Sequence, residues 1–88
     1  MSQRDPSTHI SSADSLVYLY MQIGKTIKNI RTSKNISQKE LAFKLGVTPV
    51  YLSMVENNAK TPSLNLLERI AKTLEIPVAI LFSDFAFN

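Results

Sequence analysis

The chain contains no cysteine. That excludes a disulfide framework, a thiolate zinc site, an iron–sulfur cluster and a thiol nucleophile, and it suits a reducing compartment. Histidine is almost as scarce. His9 stands alone, in a polar N-terminal stretch, so histidine acid–base chemistry and multi-histidine metal binding are not expected. Gly24 and Gly46 are the only glycines, too few and too far apart for a loop that cradles phosphates. No apolar run approaches the ~18 residues of a membrane span. Met1-Ser2-Gln3-Arg4-Asp5-Pro6 lacks the apolar centre of a signal peptide. A cytoplasmic protein is expected, with no membrane role. No closely spaced carboxylate pair suits acid–base work, so neither an enzyme, a cofactor nor a metal is expected.

What is present fits one small folded domain: 88 residues, 44% hydrophobic and 19% charged. The formal net charge of +3 is unevenly spread. Between Met21 and Lys60 lie Lys25, Lys28, Arg31, Lys34, Lys39, Lys44 and Lys60, against Glu40 and Glu56. The middle of the chain is basic and the flanks are acidic, which suits a polyanionic partner.

Residues 1–10 read as a flexible N-terminal arm, and residues 11–88 as an all-α domain with a C-terminal helix and an aromatic tail. No period-two alternation and no hairpin turn signal interrupt it. The first helix is expected from Ser11 or Ser12 to Ser33 or Lys34. Its stripe is Leu16, Tyr20, Ile23, Ile27 and Ile30, with Asn35 suited to the left-handed position after its end. Val17, Tyr18, Leu19 and Met21 widen the apolar arc of its first half. Gly24 weakens the middle and makes a break or kink an expectation there.

Ser37-Gln38-Lys39-Glu40 is a capping box opening a second helix. Leu41, Ala42 and Leu45 face inward, and Gly46 stops it. Thr48-Pro49 opens a third helix, an N-cap followed by proline in the first turn, with Leu52 and Val55 inward. Pro62-Ser63 starts a fourth, carrying Leu64, Leu67, Ile70, Ala71 and Leu74. Pro77 separates it from a short fifth helix, Val78–Phe82. Five helices with short connections make a compact all-α fold.

Helices two and three are joined by Gly46-Val47 alone. So short a link forces a steep crossing, the helix-turn-helix arrangement. Ala42 supplies the small residue where the axes approach, and Gly46 tolerates positive φ in the turn. The segment Gln38–Asn57, QKELAFKLGVTPVYLSMVEN, closely resembles the helix-turn-helix of phage-repressor and Cro-like regulators, the XRE family. The flanking IGKTIKNIRTSKNIS and TPSLNLLERIAKTLEIPVAILF are similar to that family's first, fourth and fifth helices.

The resemblance implies a five-helix, lambda-repressor-like DNA-binding domain whose third helix, residues 48–57, enters the major groove. It implies base-facing roles for Pro49, Val50, Ser53, Met54 and Asn57. It implies backbone contacts for Gln38, Lys39, Thr48, Tyr51 and Lys60, and a structural ion pair between Arg31 and Glu56. One departure stands out: Pro49, Val50, Ser53 and Met54 include no bidentate hydrogen-bonding side chain, so strong guanine readout is not expected from this helix. Val50 and Met54 suit thymine methyl groups, and specificity is expected to lean on methyl contacts and DNA deformability.

The resemblance further implies a homodimer on a palindromic operator, with half-sites about 34 Å apart. Spare apolar residues at Ile76, Val78, Ile80, Leu81, Phe82 and Phe85, with Phe87, are candidates for the two-fold contact. The expected function is a sequence-specific transcriptional regulator, a repressor or a restriction–modification-type controller. The alternative is an antitoxin-like module that binds a partner protein as well as DNA.

Overall fold

The computed structural model describes residues 12–82, with side chains from residue 22 onward. The N-terminal arm and Phe85 and Phe87 in the tail lie outside the described residues, as do the side chains of Leu16, Val17, Leu19 and Tyr20. Four α-helices follow in order: α1 (Ser12–Ser33), α2 (Gln38–Leu45), α3 (Pro49–Glu56) and α4 (Leu64–Leu74). A 3-10 helix, Val78–Phe82, is the last described element, and the described residues contain no strand.

The helix starts follow from side chains beside them. Ser37 Oγ accepts the Glu40 N–H at 3.0 Å, Thr48 Oγ1 the Tyr51 N–H at 3.0 Å, and Ser63 Oγ the Leu66 N–H at 3.1 Å. Each satisfies a donor the helix itself leaves unpaired. The capping box at α2 is made in one direction. Glu40 turns to Lys44, 3.6 Å away on an exposed surface, rather than back to Ser37.

The stops are left-handed residues: Asn35 (φ 60°), Gly46 (φ 74°) and Glu75 (φ 61°). Glu75 is the costly one, because a Cβ disfavours this conformation by roughly 1–2 kcal/mol. Glu75→Gly is therefore expected to stabilise the domain by about 0.5–1 kcal/mol, the relief exceeding the added freedom of the unfolded chain. Thermal unfolding checks it, and an unchanged or lower midpoint would show that the carboxylate does something the backbone strain conceals.

The core is formed by Ile23 and Ile27 of α1, Leu41, Ala42 and Leu45 of α2, and Leu52 and Val55 of α3. Leu66, Leu67, Ile70, Ala71 and Leu74 of α4 complete it, with Leu81 beneath. Three expectations change. The fifth helix is 3-10 rather than α, with Ile80 N–H bonded to Pro77 O at 3.0 Å; five residues after a proline are too few for a stable α ladder. Leu64 is 60% exposed. Side chains lean toward a helix's N-terminus, so a first-turn leucine projects off the end of α4, while Pro62 and Leu66 are buried instead.

No break occurs at Gly24, and α1 runs as one helix through it. A Cβ there would stand 2.5 Å from Val55 O, 2.7 Å from Asn58 Oδ1 and 3.0 Å from Glu56 O. The missing side chain lets α1 pass directly beneath the C-terminal end of α3.

Candidate nucleic-acid interface

The position of α3 is fixed from two sides. Leu52 and Val55 are buried in the core, and the Glu56 carboxylate is held at its last turn. Glu56 Oε2 accepts from Arg31 Nε at 2.7 Å, and Oε1 accepts from Arg31 Nη2 at 3.0 Å and from Gln38 Nε2 at 2.9 Å. Arg31 Nη1 also donates to Ile36 O at 2.8 Å. A bidentate, buried pair of this geometry is strong and directional. It ties the end of α1, the α1–α2 loop, the first residue of α2 and the last turn of α3 to one carboxylate. The only charged side chain of α3 is thereby neutralised inside the protein.

The outer face of α3 is correspondingly uncharged. Pro49 and Asn57 are exposed, Val50 is 65% and Met54 37% exposed, and Ser53 is half-buried. Asn57 Nδ2 donates to Ser53 Oγ at 3.3 Å, so the two polar groups on this face engage each other. Exposed lysines adjoin it: Lys39 on α2 lines a hollow with Pro49, and Lys60 in the loop after α3 bonds Met54 O through its backbone N–H, while Lys44 further along α2 pairs with Glu40. Gln38 and Thr48 occupy the starts of α2 and α3, but both are engaged internally, Gln38 by Glu56 and Thr48 by its own helix. Tyr51 is half-buried and packs against the core. The structure thus gathers Pro49, Val50, Ser53, Met54 and Asn57 on one face, with Lys39 and Lys60 exposed beside it.

Arg31 and Glu56 are brought together as a buried pair. Among the dimer candidates, Ile76, Val78 and Phe82 are half-buried against the chain's own core and Ile80 is 39% exposed. Leu81 is fully buried in that core, so it anchors the 3-10 helix and is not offered to a partner. Phe85 lies outside the described residues.

Two features escaped the sequence reading. Arg69 of α4 donates through Nη2 to Leu45 O, the last carbonyl of α2. This places a cation where the helix leaves its acceptors unpaired and its dipole is negative, directly beside the Gly46 turn. Phe43 on α2 is 85% exposed. It borders an open hollow of about 500 Å³ formed with Ser37, Lys39, Glu40, Val47 and Pro49.

The helix-turn-helix family HTH_3 matches residues 27–81. The chain belongs to this family. It is 41% identical over 63 residues to the transcriptional regulator SinR of Bacillus subtilis, an alignment covering 70% of this chain and 57% of SinR. The chain therefore matches a little over half the length of that relative. A crystal structure of SinR in complex with DNA superposes with a TM-score of 0.63 at 43% identity, covering 67% of this chain and 95% of that one. The restriction–modification controller protein C.AhdI of Aeromonas hydrophila superposes with a TM-score of 0.69 at 32% identity, covering 72% and 96%. Among the described residues no helix is long and apolar enough to cross a membrane, and no cluster of three metal-ligating side chains occurs.

Proposed function

We propose that this chain is a sequence-specific DNA-binding transcriptional regulator that places α3 in the major groove and binds a palindromic operator as a homodimer. The carrying observation is the exposed, uncharged face of α3, held rigidly by the buried Glu56 cluster and flanked by exposed lysines. A major groove about 12 Å wide admits one helix, and lysines beside it meet phosphates at the groove edges. Family membership supports the same reading, as does the likeness to a relative crystallised with DNA. Pro49, Val50, Ser53, Met54 and Asn57 face bases. Gln38, Thr48 and Tyr51 line the approach to the backbone, where the N–H groups opening α2 and α3 also point at phosphate. Ile80, with the edges of Ile76, Val78 and Phe82, is the described part of the two-fold contact.

Lys39 and Lys60 are assigned to phosphate. Lys39→Ala and Lys60→Ala are each expected to lower the slope of log affinity against log salt by about one, without changing the preferred sequence. A slope unchanged in either variant would return that lysine to solvent.

Selection of bound duplexes from a random pool at about 150 mM salt, a concentration at which surface charge is screened within ~8 Å, tests the whole reading. The expected product is a palindrome with half-sites about one helical turn apart. Recovery of no motif, with binding that fades as salt rises, would contradict it. A specific observation keeps the antitoxin-like alternative in view: the bare Phe43 ring beside its hollow suits contact with another protein. That reading gains if a Phe43→Ala variant keeps full DNA binding but loses co-purification of a defined partner.

A further inference from the structure

The face assigned to bases can be read for what it is unable to distinguish. Its largest exposed groups, Val50 and Met54, are apolar, and Pro49 beside them has no N–H to donate. Its polar groups are Asn57, bonded to Ser53 Oγ, and Ser53 itself, whose hydroxyl both donates and accepts. Thr48 Oγ1 is occupied by the Tyr51 N–H, and Glu56 is sealed inside by Arg31 and Gln38. No arginine, lysine, glutamine or free carboxylate is present on this face, so only Ser53 and Asn57 are able to tell a C4 amino group from a C4 carbonyl, and Val50 and Met54 are not.

In the major groove, thymine and cytosine differ at C4 and in the 5-methyl group. Where Val50 or Met54, rather than Ser53 or Asn57, meets a pyrimidine, the contact is blind to the first and complementary to the second, and it reads the methyl alone. Thymine and 5-methylcytosine carry that methyl in the same place; uracil and cytosine lack it. Resting on the DNA-binding reading above, we infer that α3 recognises the 5-methyl group of a pyrimidine rather than the base that bears it. Val50 and Met54 are the specificity-determining residues. At such a position 5-methylcytosine substitutes for thymine, and binding responds to the methylation state of cytosine.

The test uses the intact chain and the duplex recovered by selection. Each pyrimidine of the half-site is synthesised in turn as thymine, uracil, cytosine and 5-methylcytosine. At one position or more, the two methylated bases are expected to bind equally within about twofold. Both are expected to bind about fourfold more tightly than their unmethylated counterparts, and about fifteenfold when both half-sites are changed, as burial of one methyl per half-site requires. In the Val50→Ala/Met54→Ala double variant, whose altered side chains are surface-exposed, the methylated and unmethylated duplexes are expected to converge. Uracil binding as well as thymine everywhere would overturn the inference, as would 5-methylcytosine ranking with cytosine. A clear motif indifferent to the methyl overturns this inference alone; a pool that yields no motif overturns the DNA-binding reading and takes this inference with it.

Discussion

Glu56→Ala is expected to lower the unfolding free energy by about 3–5 kcal/mol, because it strands Arg31 in a site where that side chain is 8% exposed. The carboxylate accepts two bonds from Arg31 and one from Gln38. Deleting it leaves a buried guanidinium facing an amide donor, with a single carbonyl, Ile36 O, still accepting. Domains of this size commonly hold only 5–15 kcal/mol in total, so the variant is expected to be partly unfolded at physiological temperature. The pair itself contributes less than that loss. Replacing both residues together, as Arg31→Met with Glu56→Leu, removes the stranded charge and is expected to recover much of the stability. Urea unfolding of the wild type, Arg31→Met, Glu56→Leu and the double variant gives the coupling directly. A coupling of about 1–3 kcal/mol is expected for groups in direct contact; a value near zero would show two independent charges. The recovered double variant separates a second role from stability: if the cluster orients α3, it binds DNA more weakly than its restored folding accounts for.

Gly24→Ala is expected to destabilise the domain, against the sign that helix propensity gives. In an exposed helix interior this change gains up to about 1 kcal/mol. Here the added Cβ would lie 2.5 Å from Val55 O, a backbone atom of α3 that cannot rotate aside. Overpacking of this kind typically costs about 1–3 kcal/mol, and the clash sets the sign. The contact with Asn58 Oδ1 is softer, since it belongs to a side chain. Asn58 has φ 67°, so Asn58→Gly removes that side chain without backbone strain. Combined with Gly24→Ala it is expected to restore only part of the loss. Full restoration would locate the clash in Asn58 alone, and a stabilised single variant would contradict the close approach of α1 to α3. The carbonyls that would be pushed close α3, so the variant is also expected to weaken operator binding beyond its stability loss.

These two sites mark where the sequence was legible and where it was not. The boundaries of α2 and α3 were readable because they depend on neighbours in the chain: Ser37 and Thr48 cap donors three residues on, and Gly46 takes the left-handed turn its backbone demands. The α3 face was readable for the same reason, since burying Leu52 and Val55 leaves Val50, Ser53 and Met54 outward at helical spacing. The role of Gly24 was not readable, because it depends on how near α1 comes to α3. A glycine inside an otherwise strong apolar stripe nonetheless signals a close approach as well as a weak point. The Arg69 contact to Leu45 O had no signal at all: it joins two elements 24 residues apart through a side chain that reads as an ordinary surface charge. Leu64 and Leu81 were misjudged for one reason. Helix periodicity gives the face of a residue but not whether the neighbouring helix extends far enough to cover it.

The most direct test of the central claim compares the wild type with Val50→Ala and Met54→Ala. Each binds the selected operator and a scrambled duplex of equal length and composition, at one salt concentration. Because these side chains project from the surface, unfolding midpoints and affinity for the scrambled duplex are expected to stay unchanged, while the preference for the operator falls about four- to fifteenfold in each variant, as loss of one to two buried methylene equivalents implies. If both variants keep the full preference, α3 does not read the bases and the assignment of its outer face is wrong.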